Sequence, residues 1–405
     1  MSTMKNSGTN NHWLLPQGIE EALPADAARL ESLRRDLLDM YASWGYQLVM
    51  PPMIEFIESL LTGTGHDFDL QTFKLIDQLT GRSMGVRADM TPQVARIDSH
   101  QLSNDAPNRL CYMGTVLRTL PDGFGSSRSP FQAGVELYGH AGIESDVEVL
   151  CLMVETLRAA GIKDISIDIG HVGFYRGLAK QAGFNAEQEA TLFEMMQRKA
   201  IPEIQAYIAA QNVDKKVAVM LNALPELHGG ERCLEQAQKS FSNADTAVKD
   251  ALNYLQQAVT KFTQRVSDVA IHFDLSELRG YRYHTGLLFA AYTPGEGQEI
   301  ARGGRYDDIG EVFGRARPAT GFSCDLKNLL NLSQNSTGQN NAQQSHAILA
   351  PSDDDPELWT VIKALRAEGE KVIQSLPGQL GNAAELGCNR ELKQVSGKWL
   401  VKSSL

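Results

Sequence analysis

Two long β-like runs constrain the fold of this chain more than any other feature of its sequence. RLCYMGTVLR (109–118) and PFQAGVELYG (130–139) flank a loop rich in glycine and serine. Side chains alternate between the two faces of a strand, so Gln132, Gly134 and Glu136 share one face of the second run, and its opposite face is apolar. The two runs predict neighbouring antiparallel strands, with a shallow bed over Gly134 in which a small molecule could lie.

Other segments predict helices and a second hairpin around this sheet. Residues 24–44 carry leucines at helical spacing, which indicates an amphipathic helix, and FKLID (73–77) precedes SMGVR (83–87) across a Thr-Gly turn. Successive helical patterns over about 174–267, with a capping box from Asn185 to Gln188, indicate a helical insertion. We therefore expect an α+β fold, in which an antiparallel sheet is flanked by helices.

A polar segment divides the chain into two predicted domains. Residues 331–345 contain no charged side chain and a single leucine, which is typical of a linker. The residues that follow it have the order strand, helix, strand, which predicts a small α/β domain. The predicted boundaries are residues 1–330 for the first domain, with its insertion at about 174–267, 331–345 for the linker, and 346–405 for the second domain.

Length, charge and cysteine content argue against several classes of protein. A chain of 405 residues, 42% of them hydrophobic, can bury a substantial core. The net charge of −11 disfavours nucleic-acid binding, which depends on basic side chains. The five cysteines show no Cys-x-x-Cys spacing, and no apolar run approaches the length of a membrane span. We expect a cytoplasmic protein that binds no metal, no nucleic acid and no membrane.

Three further stretches have the residue types of a ligand site. RADMTPQVAR (87–96) places Asp89 and Thr91 at a helix start, where we expect Thr91 to be the N-cap and where capping could be their whole role. ELRGYRYHTGLLF (277–289) carries Arg279, Tyr283 and His284, in a segment also typical of an exposed strand edge. ARGGRYDDIG (301–310) is a double-glycine turn, for which a structural role is favoured. Together with Glu136 these stretches predict an amino-acid pocket without specifying the amino acid.

Six motifs occur in a characteristic order along residues 12–330. They are GYQLVMPPMIEF, RADMT, LR…FQAGVELYG, RGYRYHTG, ARGGRYDD and ATGFSCDL. This order resembles the catalytic core of the class II histidyl-tRNA synthetases, and still more closely their non-catalytic paralogues, the regulatory subunits of short-form ATP phosphoribosyltransferase. The resemblance implies a class II aminoacyl-tRNA synthetase-like sheet. It also implies a homodimer through the first class II motif, formed by the helix at 24–44 and the strand around 46–52.

The resemblance implies a histidine site in this domain. Its predicted ligand-binding residues are Asp89, Thr91, Arg118, Gln132, Glu136, Arg279, Tyr283 and His284. In the family pattern Asp89, Thr91 and Gln132 take the ammonium group. Arg279 takes the carboxylate, and Glu136 with the Tyr283–His284 pair takes the imidazole. Arg118 matches the arginine of the second class II motif, whereas Asp89 and His284 replace the glutamate and the second tyrosine that are usual in the synthetases.

The ATP-binding residues of the synthetases are not matched. Leu120 stands where the synthetases carry an acid that helps to read adenine, and Lys327 with Asn328 replaces a glutamate–arginine pair whose arginine stacks on ATP. The resemblance therefore implies a subunit with no enzymatic activity and no cofactor. As a homodimer within a larger hetero-oligomer, it would activate the catalytic subunit of ATP phosphoribosyltransferase, in the first step of histidine biosynthesis, with L-histidine as feedback effector. The alternatives are a histidyl-tRNA synthetase-like ligase and a free-standing histidine sensor.

Overall fold

The computed structural model of the chain describes residues 14–61, 66–102, 104–123, 126–278, 283–337, 347–379 and 383–403. Internal contacts group the chain into two compact units, Met1–Ser336 and Thr337–Leu405. In the part of the chain that the structure describes, no helix combines the length and the hydrophobicity that crossing a membrane requires.

The larger unit is built on a nine-stranded sheet and a separate three-stranded sheet. Its strands are β1 (Gln47–Leu48), β2 (Ile54–Phe56), β3 (Phe73–Ile76), β4 (Ser83–Val86), β5 (Asn108–Thr115), β6 (Phe131–Tyr138), β7 (Ser166–His171), β8 (His228–Gly229), β9 (Ala270–Asp274), β10 (Leu287–Tyr292), β11 (Ala301–Arg305) and β12 (Ala319–Asp325). The large sheet has the order β1-β5-β6-β12-β11-β10-β7-β9-β8, and the small one the order β2-β4-β3. Two pairs of the large sheet, β1–β5 and β7–β9, are parallel and the others antiparallel, so the predicted α+β class is confirmed.

Twelve helices belong to this unit within its described residues. They are α1 (Pro24–Ser43), α2 (Ile57–Leu60), α3 (His66–Gln71), α4 (Thr91–Ile97), α5 (Ile143–Ala159), α6 (Gly173–Gln181), α7 (Ala186–Gln197), α8 (Ile201–Ala210), α9 (Lys215–Ala223), α10 (Arg232–Ser240), α11 (Thr246–Arg265) and α12 (Leu326–Thr337). A π-helical turn follows α4 at Asp98–Leu102, and short 3-10 turns lie at Leu224–Glu226 and Glu311–Phe313. The predicted helix at 24–44 and the predicted hairpin at 73–87 correspond to α1 and to the antiparallel pair β3–β4.

The main core lies between the large sheet and the helices α1 and α5. Ala133, Val135 and Leu137 on the apolar face of β6 are buried there, as the alternation in the sequence predicts. Tyr41 of α1 is fully buried in the same core, and its hydroxyl pairs with that of Thr156 on α5 at 3.1 Å. Burial of a sheet face by two helices removes a large apolar area from water, which is the main stabilising contribution expected in a domain of this size.

The helical insertion connects two neighbouring parallel strands. Helices α6 to α11 lie in the sequence between β7 and β9, which pair in parallel and therefore require a crossover connection. The predicted capping box is present, because the Asn185 side chain accepts from the Gln188 backbone and the Gln188 side chain accepts from the Asn185 backbone, both at 2.9 Å. Helices α6 to α11 occupy Gly173 to Arg265, the part of the chain where the sequence predicts the insertion.

The smaller unit is a four-stranded sheet with one helix. Its elements are β13 (Ala347–Ala350), α13 (Pro356–Ala367), β14 (Val372–Gln374), β15 (Cys388–Val395) and β16 (Lys398–Ser403), with the strand order β14-β13-β15-β16. The predicted strand–helix–strand order is present in β13, α13 and β14. The final hairpin of β15 and β16 was not predicted, although Ser396 and Gly397 both have positive φ angles, as a tight hairpin turn requires.

Helix α12 extends into the segment that the polar composition predicts to be a linker. Residues 331–337 continue helix α12, and residues 338–346 lie outside the described part. The helix extends because Leu329 is fully buried in the core and Leu330 and Leu332 pack against it. Composition alone therefore placed the end of the first domain several residues too early.

Candidate functional site

Glycines on adjacent strands form part of the floor of a cavity in the larger unit. Glu136 of β6 pairs with Gly321 of β12, and Gly321 pairs with Gly304 of β11. A β-carbon at Gly321 would overlap the carboxylate of Glu136, and one at Gly304 would lie 2.8 Å from the ring of His284. The missing side chains therefore make room for the carboxylate of Glu136 and the imidazole of His284.

The cavity above this floor has a volume of about 380 Å³. Five of the predicted site residues line it, namely Asp89, Thr91, Glu136, Tyr283 and His284. They come from the start of α4, from β6 and from the segment before β10, which are distant in sequence. The sheet register brings them together at one place.

Glu136 is the most buried ionisable group of this cavity, with 1% of its surface exposed. Its carboxylate accepts hydrogen bonds from the hydroxyls of Thr91 at 2.9 Å, Tyr112 at 3.0 Å and Tyr306. Burial, assisted by the nearby charge of Asp89, outweighs these three bonds and raises the pKa of Glu136 to about 8. The carboxyl group can therefore change its protonation state near neutral pH, in contact with whatever the cavity holds.

Asp89 is oriented by its neighbours at the start of α4. Its carboxylate accepts from the backbone N–H of Thr91 at 2.8 Å and from the side-chain amide of Gln132 at 3.0 Å. The carbonyl of that amide in turn accepts from the Met90 backbone at 3.0 Å. The expectation that Thr91 is the N-cap was wrong: α4 begins at Thr91, and the Thr91 hydroxyl donates to Glu136 because it faces the polar side of β6.

The predicted bed over Gly134 is filled by a side chain of the protein itself. Tyr112 on β5 pairs directly with Gly134, and a β-carbon at Gly134 would overlap its phenol group. The cavity consequently lies farther across the sheet, over β12 and β11. Sequence alternation correctly identified the polar face of the strand but not the neighbour that covers its glycine.

Two predicted residues, Arg118 and Gln132, line an adjoining cavity of about 220 Å³. Arg118 donates from its Nη1 to Asp122 at 3.2 Å and from its Nε to the Ala88 carbonyl at 3.3 Å. Asp325, Lys327 and Asn328 also line this second cavity. The eighth predicted residue, Arg279, lies outside the described residues, so the structure brings together five of the eight and places two next to them.

Sequence reasoning missed three residues that contact or line the site: Tyr112, Tyr306 and Arg302. Tyr306 follows the double glycine to which a structural role was given. Its ring stacks on that of Tyr283 with centroids 4.9 Å apart, and its hydroxyl reaches Glu136. The sequence contains a signal for Arg302 and Tyr306, because Arg302, Gly304 and Tyr306 are two residues apart and so occupy one face of a strand. Among the described residues, the buried hydroxyl of Tyr283 has no hydrogen-bond partner.

The residue beside Tyr306 anchors the site to the helices behind the sheet. Arg305 forms two hydrogen bonds with the carboxylate of Asp146 on α5, at 2.8 and 3.0 Å, and both side chains are almost completely buried. Tyr254 of the helical insertion donates to the same carboxylate at 2.5 Å. Burial opposes the charged form of Arg305, but Asp146 outweighs it and raises the pKa of the guanidinium. The pair therefore fixes β11 against both α5 and α11.

Six acidic side chains line the larger cavity, those of Asp89, Asp122, Glu136, Asp168, Glu277 and Glu299. Glu136 is largely protonated at neutral pH because its pKa is raised to about 8, and Asp122 and Glu299 accept hydrogen bonds from Arg302. Among the described lining residues, Arg302 is the single arginine or lysine. No group of three or more side chains in the described ranges is arranged to hold a metal ion. This balance suits a small organic molecule with a positive group, several polar atoms and one negative group.

Comparison with protein-family models identifies both units. The model described as histidyl-tRNA synthetase matches residues 18–329, and the model described as the ATP phosphoribosyltransferase subunit HisZ C-terminal domain matches residues 345–402. Two relatives, from Thioalkalivibrio sulfidiphilus and Alkalilimnicola ehrlichii, are named ATP phosphoribosyltransferase regulatory subunit. They are 58% and 54% identical to this chain over 393 and 394 residues, which is 97% of this chain and 98% of each relative.

Solved structures show the same fold. A Bacillus halodurans protein described as an ATP phosphoribosyltransferase regulatory subunit/histidyl-tRNA synthetase superposes with a TM-score of 0.80 at 27% identity, over 92% of this chain and 95% of that one. Histidyl-tRNA synthetase from Nostoc superposes with a TM-score of 0.73 at 18% identity, over 97% and 94% of the two chains. The fold is thus the class II synthetase-like one, and from its near full-length similarity to the named relatives the chain belongs to the family of ATP phosphoribosyltransferase regulatory subunits.

Proposed function

We propose that the larger cavity binds L-histidine and that this binding regulates the catalytic subunit of ATP phosphoribosyltransferase. The observation that carries the proposal is Glu136, a buried carboxyl group at the end of a cavity that also holds Asp89, Tyr283 and His284. A ligand group that donates to the Glu136 carboxyl adds a hydrogen bond to those from Thr91, Tyr112 and Tyr306 and offsets part of the cost of its burial. An imidazole N–H does so, and aliphatic amino acids have no equivalent group.

The other polar groups of the cavity fit the remaining atoms of histidine. Asp89, held by Gln132 and the start of α4, supplies a negative charge for the α-ammonium group. The buried hydroxyl of Tyr283 would donate to the second imidazole nitrogen, and its ring, stacked on Tyr306, offers an aromatic wall. Each charged hydrogen bond of this kind contributes about 1.5 to 3 kcal/mol, so a few of them hold a zwitterion at micromolar concentration.

Calorimetric titration with L-histidine tests this binding. We expect saturable binding to the wild-type protein, and a loss of affinity of roughly ten- to a hundredfold in Glu136→Gln, which keeps the shape of the side chain but cannot ionise when a ligand binds. Glu203→Gln, on an exposed helix, is the control and should bind as the wild type does. Equal affinity in the wild type and Glu136→Gln would remove Glu136 from the site.

The same unit is proposed to have no aminoacylation activity of its own. In the adjoining cavity Arg118 is paired with Asp122 at 3.2 Å, and the Lys327 ammonium donates to the Ser129 carbonyl at 2.9 Å. Leu120, in the place of the adenine-reading acid, is 62% exposed. Adenylate formation requires donors held against a phosphate and a platform for adenine, and Arg118 alone does not supply both.

Exchange of pyrophosphate into ATP measures that activity. With L-histidine present, we expect a rate no higher than that of a blank without protein. A histidyl-tRNA synthetase assayed in parallel provides the positive control. Histidine-dependent exchange well above the blank would favour the synthetase-like ligase over the regulatory subunit.

Regulation requires a partner, and we propose that it is the catalytic subunit of ATP phosphoribosyltransferase. The relatives are named regulatory subunits of that enzyme. The resemblance to this family implies that the enzyme joins ATP to phosphoribosyl pyrophosphate at the first step of histidine biosynthesis. The chain would activate the catalytic subunit, and bound histidine, the end product, would reverse the activation. A ligand shifts such an equilibrium only through its different affinity for the two states, typically about 1 to 3 kcal/mol.

We also propose a homodimer within the hetero-oligomer. Strand β1 is an edge of the large sheet, and the surface from Leu48 of this strand to Ile54 is unusually apolar. Met50 is 79% exposed, and Leu48, Met53 and Ile54 are exposed as well. A twofold contact would cover this edge in both copies.

Light scattering at micromolar concentration should give the mass of at least a dimer, and Met50→Glu should lower this mass. A monomeric wild-type protein contradicts this arrangement.

A further inference from the structure

We propose that the turn between α7 and α8 is a latch that closes one end of the larger cavity and sets how fast a ligand enters and leaves. The latch is the ion pair between Lys199 of this turn and Asp274 at the end of β9. The inference rests on the proposed function, because it concerns the exchange of histidine with the cavity. The position of the turn, the backbone of Lys199 and the surroundings of Asp274 each support it.

The turn lies at the end of the cavity that is distant from Glu136. Gln197, the last residue of α7, lines the cavity together with Asp168 of β7 and Glu277, which follows β9. Between β6 and β7 the sheet crosses β12, β11 and β10, so four strand spacings of about 4.8 Å, roughly 19 Å in all, separate Glu136 from the strand of Asp168. The helical insertion therefore supplies a wall of the cavity at this distant end.

Lys199 has a backbone conformation that glycine usually adopts. Its φ angle is 47°, and its N–H donates to the Met196 carbonyl at 2.9 Å. The N–H of Ala200 donates to the Met195 carbonyl at 3.0 Å, which completes a Schellman motif at the end of α7. Helices α1, α5, α6 and α13 end in the same motif, with glycine at the equivalent position: Gly45, Gly161, Gly183 and Gly369. A lysine at this position is disfavoured by its backbone, so an interaction of its side chain is needed to offset the cost.

The ion pair with Asp274 is that interaction. The Lys199 ammonium donates to Oδ2 of Asp274 at 2.6 Å, while Oδ1 accepts from the backbone N–H of Ser276 at 3.0 Å and from its hydroxyl at 2.8 Å. The carboxylate is thus oriented by the segment that leads to Glu277. The Asp274 carbonyl lies against β7, since a β-carbon at Gly170 would be 2.6 Å from it. The sheet therefore holds one side of the cavity end, and Lys199 fastens the insertion to that side.

The exposure of the ion pair allows this contact to open. The side chain of Lys199 is 40% exposed and that of Asp274 is 18% exposed. Ion pairs that water can reach contribute little to stability, because solvation competes with the attraction between the charges. The buried side chains of Leu192 and Met196 hold α7 itself in the core. Breaking the ion pair therefore frees the turn after Gln197 without unfolding the helix.

The experiment measures the rates of histidine binding as well as its affinity. Exchange of ¹³C-labelled L-histidine, followed by nuclear magnetic resonance, gives the rates, and calorimetry gives the Kd. In Lys199→Gly, which suits the turn but lacks the ammonium group, we expect association and dissociation to accelerate together by roughly two- to fivefold, with little change in Kd. Asp274→Asn should have the same effect. The double variant should exchange no faster than either single variant, because both substitutions remove one contact.

A neighbouring arginine provides the matched control. Arg198→Gln also removes one positive charge from this turn, but the ion pair of Arg198 is with Glu203 at 3.1 Å, inside the insertion. This variant should exchange histidine at the wild-type rates. A rate increase as large as that of Lys199→Gly would show that the charge of the turn, and not the latch, controls exchange.

The remaining outcomes separate the latch from the function on which it rests. If the wild type binds histidine and both Lys199→Gly and Asp274→Asn exchange it at the wild-type rates, the latch is wrong and the histidine site stands. If only dissociation accelerates, so that Kd rises by the same factor, the turn contributes to affinity and the latch is again wrong. If the wild type binds no histidine, the proposed function is wrong, and the latch with it.

Discussion

Asp146→Ala is expected to lower the free energy of unfolding of the larger unit by about 3 to 5 kcal/mol, since it leaves the buried guanidinium of Arg305 without its principal partner. The Asp146 side chain is completely buried and that of Arg305 is 5% exposed, so the guanidinium is shielded from bulk solvent and retains, among the described residues, only the half-buried Asp307, at 3.2 Å, as a carboxylate partner. Tyr254 also loses its acceptor on α5. Urea denaturation followed by tryptophan fluorescence and circular dichroism measures the change.

An exposed ion pair provides the control for this variant. Arg198 and Glu203 form a salt bridge at 3.1 Å with more than half of each side chain in solvent, so Glu203→Ala should change stability by only a small fraction of that amount. Because Tyr306 follows Arg305 directly, Asp146→Ala should also weaken histidine binding in any protein that remains folded. An Asp146→Ala protein as stable as Glu203→Ala would show that the buried pair does not anchor β11.

The stability of the wild-type protein should fall between pH 6 and pH 9 because of Glu136. Its pKa is about 8 in the folded protein and near 4.5 when unfolded, so the folded state binds the extra proton between these values. The contribution of Glu136 is therefore most favourable at low pH, declines as pH rises from about 4.5 to 8, and is constant above that. Between pH 6 and pH 9 the expected loss is roughly 2 to 3 kcal/mol.

Glu136→Gln isolates this titration from all others. The variant lacks the ionisable group, while every other group titrates as in the wild type. The urea midpoint of the wild type should therefore fall relative to that of the variant as the pH rises from 6 to 9. Parallel curves from pH 6 to pH 9 would mean that Glu136 is ionised throughout and that its burial is less complete than the structure has it.

Local patterns were sufficient for much of the fold. The helix at 24–44 and the capping box at Asn185 depend on residues close in sequence, and both are present in the structure. The polar face of β6 followed from alternation alone. Composition did not predict the end of a helix where that end depends on packing. Helix α12 continues beyond residue 331 because its leucines pack in the core.

The candidate site was predicted only in part because its geometry depends on strand register. Nothing near Gly134 in the sequence indicates that Tyr112 lies over it, since the two residues belong to different strands. Tyr306 and Arg302 likewise reach the cavity because β11 pairs with β12, and β12 with β6. The family resemblance supplied Asp89, Thr91 and Glu136, whereas the contribution of Tyr306 and Arg302 to the cavity becomes visible only when the sheet is assembled.

The most direct test of the account is the activity of the catalytic subunit of ATP phosphoribosyltransferase, measured with and without this chain over a range of histidine concentrations. We expect the chain to increase the activity and added histidine to suppress it. Complexes carrying Glu136→Ala or Arg279→Ala should remain active at histidine concentrations that silence the wild-type complex. A catalytic subunit that works equally fast with and without the chain, and responds to histidine in the same way in both cases, would contradict the regulatory function.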